Sequence, residues 1–208
     1  MKMQTPENYL EIYNSNHALI QVCSKKIRES IKEYLGNKYR VDQISSRAKS
    51  VDKFAKKSSK KNEDGLYKYS QPLIEIQDQI GVRIVTYYLS DVEKIAKRIH
   101  EVYEPIEEKD KRPERYDAFS YTGKHFILFI PDEFISWDSN RNMPIFFELQ
   151  IKTLFQHAWA ESEHDLNYKS QMEVDVDDKK LIAFSAAQAW GADKIFEDLR
   201  KKYEKEES

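Results

Sequence analysis

Short segments with strand character alternate along the chain with helical patterns, and this alternation constrains the fold more than any other feature. Residues 80–88 are rich in β-branched and aromatic side chains, and a helical pattern follows them through Val92, Ile95 and Ile99. Further strands are predicted at 39–49, 125–130 and 145–152. Strands and helices in this order predict an α/β (α+β) fold in which helices flank a mixed sheet.

Two long helical patterns bracket this region. The first covers residues 7–35, with a break expected near 14–16, and the second covers residues 181–203. Both have apolar side chains spaced by three and four, which is typical of a helix with one face on a core. In the second helix we expect these side chains to face inward: Leu181, Phe184, Ala187, Trp190, Ile195, Phe196 and Leu199.

The segments that connect these elements also show recognisable sequence patterns. Ser90 and Asp91 are expected to cap the helix that follows the 80–88 strand, because short polar side chains accept from free N–H groups there. Residues 105–120 have two prolines, many charges and little periodicity, so we expect a long loop of the kind that often has a functional role. Residues 138–142 are expected to form a polar turn.

Composition excludes several classes of protein. The chain has 208 residues, 34% of them charged and 40% apolar, which predicts one folded domain over residues 1–208. Its apolar runs are far shorter than the roughly 20 residues of a membrane span, and its N-terminus lacks the apolar stretch of a secretory signal. The single Cys23 cannot form an internal disulfide. We therefore expect a soluble, cytoplasmic protein with no membrane partner.

A basic block lies within this nearly neutral chain. The net charge is −2, yet residues 47–61 contain seven Lys or Arg residues and one acid, Asp52. Such a block can be a solvated helix face, or it can bind the phosphates of a nucleotide or of a nucleic acid backbone. The block alone leaves both interpretations open.

Two carboxylates mark the positions where strands carry polar groups. Asp78 directly precedes the 80–88 strand, and Arg83 follows within it. Three polar side chains share one face of the 145–152 strand: Glu148, Gln150 and Lys152. Two carboxylates on neighbouring strands, among Lys and Arg, suit Mg²⁺, which takes one or two carboxylates plus substrate phosphates. No Walker-type glycine-rich loop and no His-x-x-x-His spacing is present, so we predict phosphoryl-transfer chemistry outside the P-loop fold.

Five groups of residues follow one another between about residues 40 and 170. They are Arg47-x-Lys49, Asp78-x-x-Gly81-x-Arg83, Tyr121-x-x-x-His125, Glu148-x-Gln150-Ile151-Lys152-Thr153 and His157-Ala158-Trp159-Ala160-Glu161-x-Glu163-His164-Asp165-Leu166-x-Tyr168-Lys169. Together they resemble the RelA/SpoT-type alarmone synthetase domain, and the last group is highly specific. The short chain is similar to the small stand-alone synthetases of that family, some of which are toxins.

The resemblance implies a nucleotidyltransferase-like fold with a mixed five-stranded sheet flanked by helices. It also implies an enzyme that moves the β,γ-diphosphate of ATP onto a ribose 3′-hydroxyl and releases AMP. On the donor side it assigns Arg47 and Arg83 to the adenine, and Lys49 and Lys57 to the ATP phosphates.

The resemblance also assigns the metal and the acceptor. Asp78 and Glu148 are the implied Mg²⁺ ligands and catalytic residues, with Glu148 activating the acceptor hydroxyl. Tyr121 is implied to stack on the acceptor base. The remaining acceptor pocket is assigned to four residues: His125, Gln150, Lys152 and His157.

The sequence departs from the family pattern on the acceptor and phosphate sides. The usual Gly-Tyr-x-Ser-x-His is Ser120-Tyr121-Thr122-Gly123-Lys124-His125 here, Lys53 stands where Ser is common, and Lys152 replaces an Arg. Two acceptors therefore stay open. The first is a guanosine nucleotide, GTP or GDP, which would yield (p)ppGpp. The second is the 3′-terminal adenosine (CCA end) of tRNA, as for the toxic members, with the basic block, Lys25 and Lys26 following the RNA backbone.

A third hypothesis is a non-catalytic relative that binds a nucleotide or RNA. The resemblance also allows two partners beyond the substrates, an antitoxin protein and further copies of the chain in a homo-oligomer.

Overall fold

A five-stranded mixed sheet forms the centre of the protein in the computed structural model, which describes residues 6–110, 120–135, 142–169 and 175–206. The strands are β1 Val41–Ala48, β2 Ile80–Thr86, β3 Glu107–Asp110, β4 Lys124–Phe129 and β5 Phe146–Thr153. They lie in the order β1-β2-β5-β4-β3, with β2 and β5 parallel and the other neighbours antiparallel. The predicted fold class is confirmed.

Helices surround this sheet. Within the described ranges they are α1 Pro6–Leu35, α2 Val51–Ser58, α3 Pro72–Glu75, α4 Leu89–His100, α5 Leu154–Lys169 and α6 Val176–Glu206. Two short 3₁₀ turns lie at Gln77–Gln79 and Asp132–Phe134. None of these helices has both the length and the apolar character needed to cross a membrane.

The two faces of the central strands have different chemistry, and this difference positions the site. The buried residues of β2 and β5 alternate along the strands and join α1 and α4 in the core; they include Ile80, Val82, Ile84, Phe147, Leu149 and Ile151. The parallel register places Gly81 beside Glu148 and Arg83 beside Gln150 on the opposite face. Burial of each large aliphatic side chain contributes roughly 1.5–3 kcal/mol, so the apolar face holds the sheet while the polar face is left for chemistry.

The structure corrects two predictions about helices, one on a break and one on a cap. Helix α1 runs without a break through Asn16, which is buried on its core face, and the Ser15 hydroxyl donates to the Ile12 carbonyl at 2.8 Å. The predicted break near 14–16 was therefore wrong. Helix α4 begins at Leu89, so Ser90 and Asp91 lie inside its first turn and cap nothing. The N–H of Ser90 instead donates to Glu197 of α6.

The predicted loop at 105–120 contains a strand. β3 pairs antiparallel with β4 at the edge of the sheet, with Glu107 opposite Ile127. Its four residues are all charged, so no apolar alternation could reveal it from the sequence. Residues 111–119, and most of the turn predicted at 138–142, lie outside the described residues.

Helix α6 buries the face opposite to the one predicted. Six of its seven residues expected in the core are 42–64% exposed: Leu181, Phe184, Trp190, Ile195, Phe196 and Leu199. The residues that it does bury are Ala186, Asp193 and Glu197. Amphipathic spacing shows that a helix has two faces, but the contacts decide which is covered. Here the two acids find partners inside the protein, and an apolar stripe faces outward.

Candidate active site

Asp78 is the charged residue at the middle of the site. It lies in the 3₁₀ turn directly before β2, where Lys49 Nζ is 2.8 Å from its Oδ2 and Lys57 Nζ is 2.9 Å from its Oδ1. Burial by itself raises the pKa of Asp78, but the hydrogen bonds and charges of both lysines outweigh that effect and bring the pKa below its usual range. The carboxylate is therefore ionised at neutral pH and is held by two cations.

Local sequence explains why both lysines reach this carboxylate. Lys49 directly follows β1, and its N–H donates to the carbonyl of Gln79 at 2.8 Å. Ser50 then caps α2 by accepting from the N–H of Lys53. The eight-residue helix brings Lys57, in its last turn, back toward Asp78.

Glu148 is the second carboxylate of the site. Its Oε1 is 2.9 Å from His125 Nδ1, and its Oε2 accepts from Gln150 Nε2 at 3.0 Å. The antiparallel register of β4 and β5 places His125 opposite Gln150 and so explains the cluster. His125 Nε2 and Gln150 Oε1 are buried and have no hydrogen-bond partner among the described residues. Because such atoms cost free energy when unpaired, they indicate that the site binds a polar ligand.

Two arginines lie on adjacent strands beside these carboxylates. Arg47 is opposite Gly81 in the β1–β2 register, and a Cβ on Gly81 would stand 3.9 Å from Arg47 Cγ. Arg83 Nη1 is 2.8 Å from Glu161 Oε1 and 3.2 Å from His157 Nδ1, both on α5. Burial and the neighbouring Arg83 lower the pKa of His157, so its ring is neutral at pH 7 and can accept a hydrogen bond from Arg83.

The carboxylates stand where two cavities meet. One cavity, of about 220 Å³, is lined by Arg47, Arg83, Gln150, Ser45 and Ser46. The other, of about 290 Å³, is lined by Lys57, Tyr69, Glu75, Glu107 and His125. Asp78 and Glu148 line both cavities. This arrangement can hold one ligand on each side of a shared pair of carboxylates.

The donor set at this junction fits Mg²⁺. Asp78 and Glu148 offer hard carboxylate oxygens, and Asp78 is ionised at neutral pH. The described residues contain no group of three or more His, Cys, Asp or Glu that could hold a metal. Two carboxylates with remaining ligands from phosphates and water is the usual magnesium pattern, so a metal here would depend on the bound nucleotide.

The structure divides the residues that the sequence assigned to the acceptor. His125 lines the larger cavity, away from the arginines. Gln150 lines the arginine cavity and His157 contacts Arg83, so the structure places both on the arginine side, and their acceptor assignment stays a prediction. Lys152 is 4% exposed and lines neither cavity; it follows Gln150 at the buried end of β5, and its acceptor assignment has no support here.

Tyr121 lies largely buried and contacts α6. The side chain is 8% exposed, and its hydroxyl donates to Asp193 Oδ2 at 2.7 Å. Little of the ring is therefore free for a base to stack on in this conformation. The stacking role stays a prediction, and the interaction with α6 is a feature that no sequence pattern indicated.

Helix α1 supplies two further residues that sequence reasoning missed. The Tyr13 hydroxyl donates to the carbonyl of Lys49 at 2.6 Å, and His17 Nε2 lies 3.1 Å from the same oxygen. The Tyr13 ring stacks on Phe54 of α2 at a centroid distance of 3.9 Å. Tyr13 lies within the helical pattern predicted for residues 7–35, and nothing in that pattern indicates a contact with Lys49.

Comparisons with known proteins found a curated relative and solved structures of the same fold. A curated relative, GTP pyrophosphokinase YjbM of Bacillus subtilis (strain 168), is 26% identical over 168 residues, which is 78% of this chain and 73% of the relative. The solved small alarmone synthetase 1 from Bacillus subtilis has a TM-score of 0.68 at 19% identity, covering 96% of this chain and 97% of that one. A GTP pyrophosphokinase family protein from Streptococcus pneumoniae has a TM-score of 0.67 at 21% identity, covering 96% and 94%.

The structural likenesses show a shared fold. Family membership rests on the sequence profile described as "Region found in RelA / SpoT proteins", which matches residues 46–173. This match covers more than half of the chain and includes both carboxylates, both arginines and both lysines of the site. The protein belongs to the RelA/SpoT family.

Proposed function

We propose that the protein is an ATP-dependent pyrophosphokinase that transfers the β,γ-diphosphate of ATP to the 3′-hydroxyl of GTP or GDP. The products would be (p)ppGpp and AMP. The observation that carries this proposal is the pair of cavities that meet at Asp78 and Glu148, with arginines on one side and His125 on the other. The Bacillus subtilis relative is named a GTP pyrophosphokinase, and small alarmone synthetase 1 was solved with its product pppGpp, which supports the same reaction here.

The arginine side suits the donor. Arg47 and Arg83 both line that cavity, and a planar guanidinium can stack on an adenine ring in a way that Lys cannot. Lys49 and Lys57 would then bind the phosphates, for which they are placed by their contacts with Asp78. Glu161 and His157 hold the Arg83 guanidinium from the other side.

The other side suits the acceptor hydroxyl. Glu148 would take the proton of the 3′-hydroxyl, and that oxygen would form a bond to the β-phosphorus of ATP. The bond between the β-phosphorus and the α,β-bridging oxygen would break, and AMP would leave with that oxygen. The contact of His125 with Glu148 keeps the carboxylate oriented at the junction of the cavities. Mg²⁺, when bound by Asp78 and Glu148, would neutralise the charge that develops on the phosphates.

The test is transfer of label from γ-³²P-ATP to GTP, GDP or deacylated tRNA in parallel. Asp78→Asn and Glu148→Gln keep side-chain size, and each should lower the rate by at least about a hundredfold, because loss of charge at such a site costs several kcal/mol of barrier. Asp52→Asn, at an exposed acid on α2, is the matched control and should leave the rate unchanged. A wild-type protein that labels no acceptor would refute the proposed activity.

A second candidate acceptor, the 3′ end of tRNA, has support from the basic block. Lys53, Lys56, Lys60 and Lys61 are exposed around α2, next to Lys57 in the cavity wall. Such a surface can follow a phosphate backbone through counterion release. The double change Lys60→Ala with Lys61→Ala should lower tRNA labelling. It should also reduce the slope of log affinity for tRNA against log salt concentration by up to about two. Labelling of free GTP should stay within about twofold, because neither lysine lines a cavity.

The outward apolar stripe of α6 supports the homo-oligomer proposal. Leu181, Phe184, Ile195 and Leu199 lie three, four or eleven residues apart and are all exposed, so they share one helix face. Exposed apolar patches of this kind mark interaction sites. Light scattering of the wild type and of Phe184→Glu with Ile195→Glu tests this; an unchanged mass would remove α6 as the interface.

A further inference from the structure

Asp193 joins three separate parts of the protein through one buried carboxylate. Its Oδ2 accepts from the Tyr121 hydroxyl at 2.7 Å and from the Thr153 hydroxyl at 2.5 Å. Tyr121 precedes β4, Thr153 ends β5, and Asp193 itself lies in α6, outside the residues that the family profile matches. Asp193 is 1% exposed, so these contacts are made away from water, where hydrogen bonds are stronger than in solution.

A second anchor holds the same segment two residues later. Gly123 has a φ of +81°, and a Cβ at this position would lie 2.6 Å from the Ile151 carbonyl oxygen of β5. The segment from Tyr121 to Gly123 therefore lies directly against the end of β5. Asp193 fixes one end of this segment and the close approach of Gly123 fixes the other.

This segment leads straight into the acceptor side of the site. His125 follows Gly123 by two residues and contacts Glu148 at 2.9 Å. Asp193 lines neither cavity and so cannot touch a nucleotide in them. Asp193 can therefore act on the reaction only through the residues that it holds, Tyr121 and Thr153.

We propose that Asp193 is a positioning residue for the acceptor, acting through the Tyr121 hydroxyl to fix the Tyr121–His125 segment against β5. This inference rests on the proposed transfer to a 3′-hydroxyl, since it concerns the acceptor side of that reaction. The donor side has its own supports in α1 and α5, namely Tyr13, His17 and Glu161. Loss of Asp193 should therefore separate the two substrates kinetically.

The kinetic test compares KM for the acceptor with KM for ATP. Asp193→Ala should raise the acceptor KM about tenfold, the size expected when a buried hydrogen bond is lost, while KM for ATP stays within about twofold. Asp193→Asn should restore most of the loss, because its side-chain oxygen can still accept from both hydroxyls. Asp198→Ala, at an exposed acid on the same helix, is the matched control.

A double-mutant cycle shows whether the effect passes through Tyr121. Tyr121→Phe removes the same hydroxyl, so Asp193→Ala added to Tyr121→Phe should raise the acceptor KM by no more than about twofold further, because coupled sites are not additive. Independent, multiplying effects would overturn the proposed route. An acceptor KM unchanged by Asp193→Ala, or an equal rise in the ATP KM, would overturn the positioning role itself.

Hydrogen exchange separates this inference from the proposed function. In the ligand-free protein, Asp193→Ala should speed amide exchange in a peptide that covers residues 120–125 and leave a peptide from β1 unchanged. A wild type that labels no acceptor, together with this change in exchange, would refute the transfer reaction and support the anchor. Unchanged exchange at 120–125 would overturn the inference whatever the activity.

Discussion

Gly123 allows a quantitative test of how closely the acceptor segment lies against the sheet. Two independent features make alanine unfavourable there. Its φ of +81° lies in the left-handed region, and its Cβ would stand 2.6 Å from a backbone oxygen and 2.7 Å from Lys152 Cγ. Gly65 has the first feature without the second, since its φ is +77° but nothing lies within 4 Å of its Cβ position. Gly191, inside α6, has neither feature.

These three positions separate the two costs. Gly65→Ala should lower the free energy of unfolding by about 1–2 kcal/mol, the cost of a left-handed L-residue. Gly123→Ala has the same cost plus about 1–3 kcal/mol for overpacking, because the Ile151 carbonyl belongs to a central strand and cannot rotate away. Gly191→Ala should raise the free energy of unfolding by about 0.5–1 kcal/mol, since alanine is the better helix former.

Urea unfolding at pH 7, followed by circular dichroism, measures all three variants against the wild type. The midpoints should fall in the order Gly191→Ala, wild type, Gly65→Ala, Gly123→Ala, with similar slopes. Equal stabilities for Gly123→Ala and Gly65→Ala would refute the close contact with β5. That result would also remove the second anchor from the argument for Asp193.

Three further predictions concern the donor side. Because the pKa of Asp78 is lower in the folded state, its ionised form stabilises the fold above the unfolded pKa of about 4, and this stability is lost as pH falls through the folded value. The urea midpoint of Asp78→Asn should therefore fall less below about pH 4 than the midpoints of the wild type and of Asp52→Asn. Arg83→Lys should raise the KM for ATP severalfold although it keeps the charge, and an unchanged value would make Arg83 purely electrostatic. Tyr13→Phe should lower the free energy of unfolding by about 1 kcal/mol, because one buried hydrogen bond to the Lys49 carbonyl is lost; an unfolding curve identical to that of wild type would show that this bond contributes nothing.

Sequence reasoning found the residues of the site better than it found their supports. Asp78, Glu148, Arg47 and Arg83 lie in short local patterns on or beside strands. The β1–β2 and β2–β5 registers place these strands side by side. The side of the carboxylates on which each polar residue lies was harder to predict from the sequence. Gln150 and His157 lie on the arginine side because of strand register and the direction of α5, which residue spacing does not fix.

The residues that support the site could not be predicted from the sequence, and the reason is physical. Tyr13 and Asp193 act through contacts 36 and 72 residues away along the chain, and such contacts depend on how whole helices dock. The sequence of α6 is the clearest case. Its apolar spacing predicted a buried stripe, yet the helix buries Asp193 and Glu197. Their carboxyl groups accept from the hydroxyls of Tyr121 and Thr153 and from the N–H of Ser90.

The charges around Asp78 imply that ATP must exchange partners with the protein when it binds. Lys49 and Lys57 already contact the two oxygens of Asp78, so in the free protein all three groups are paired and partly desolvated, with two positive charges against one negative. A phosphate chain with Mg²⁺ would offer the lysines new anions and Asp78 a new cation at the same time. Neither change is favourable alone, since it would leave a partly buried charge unpaired. The proposed site therefore favours ATP and metal bound together over either one alone.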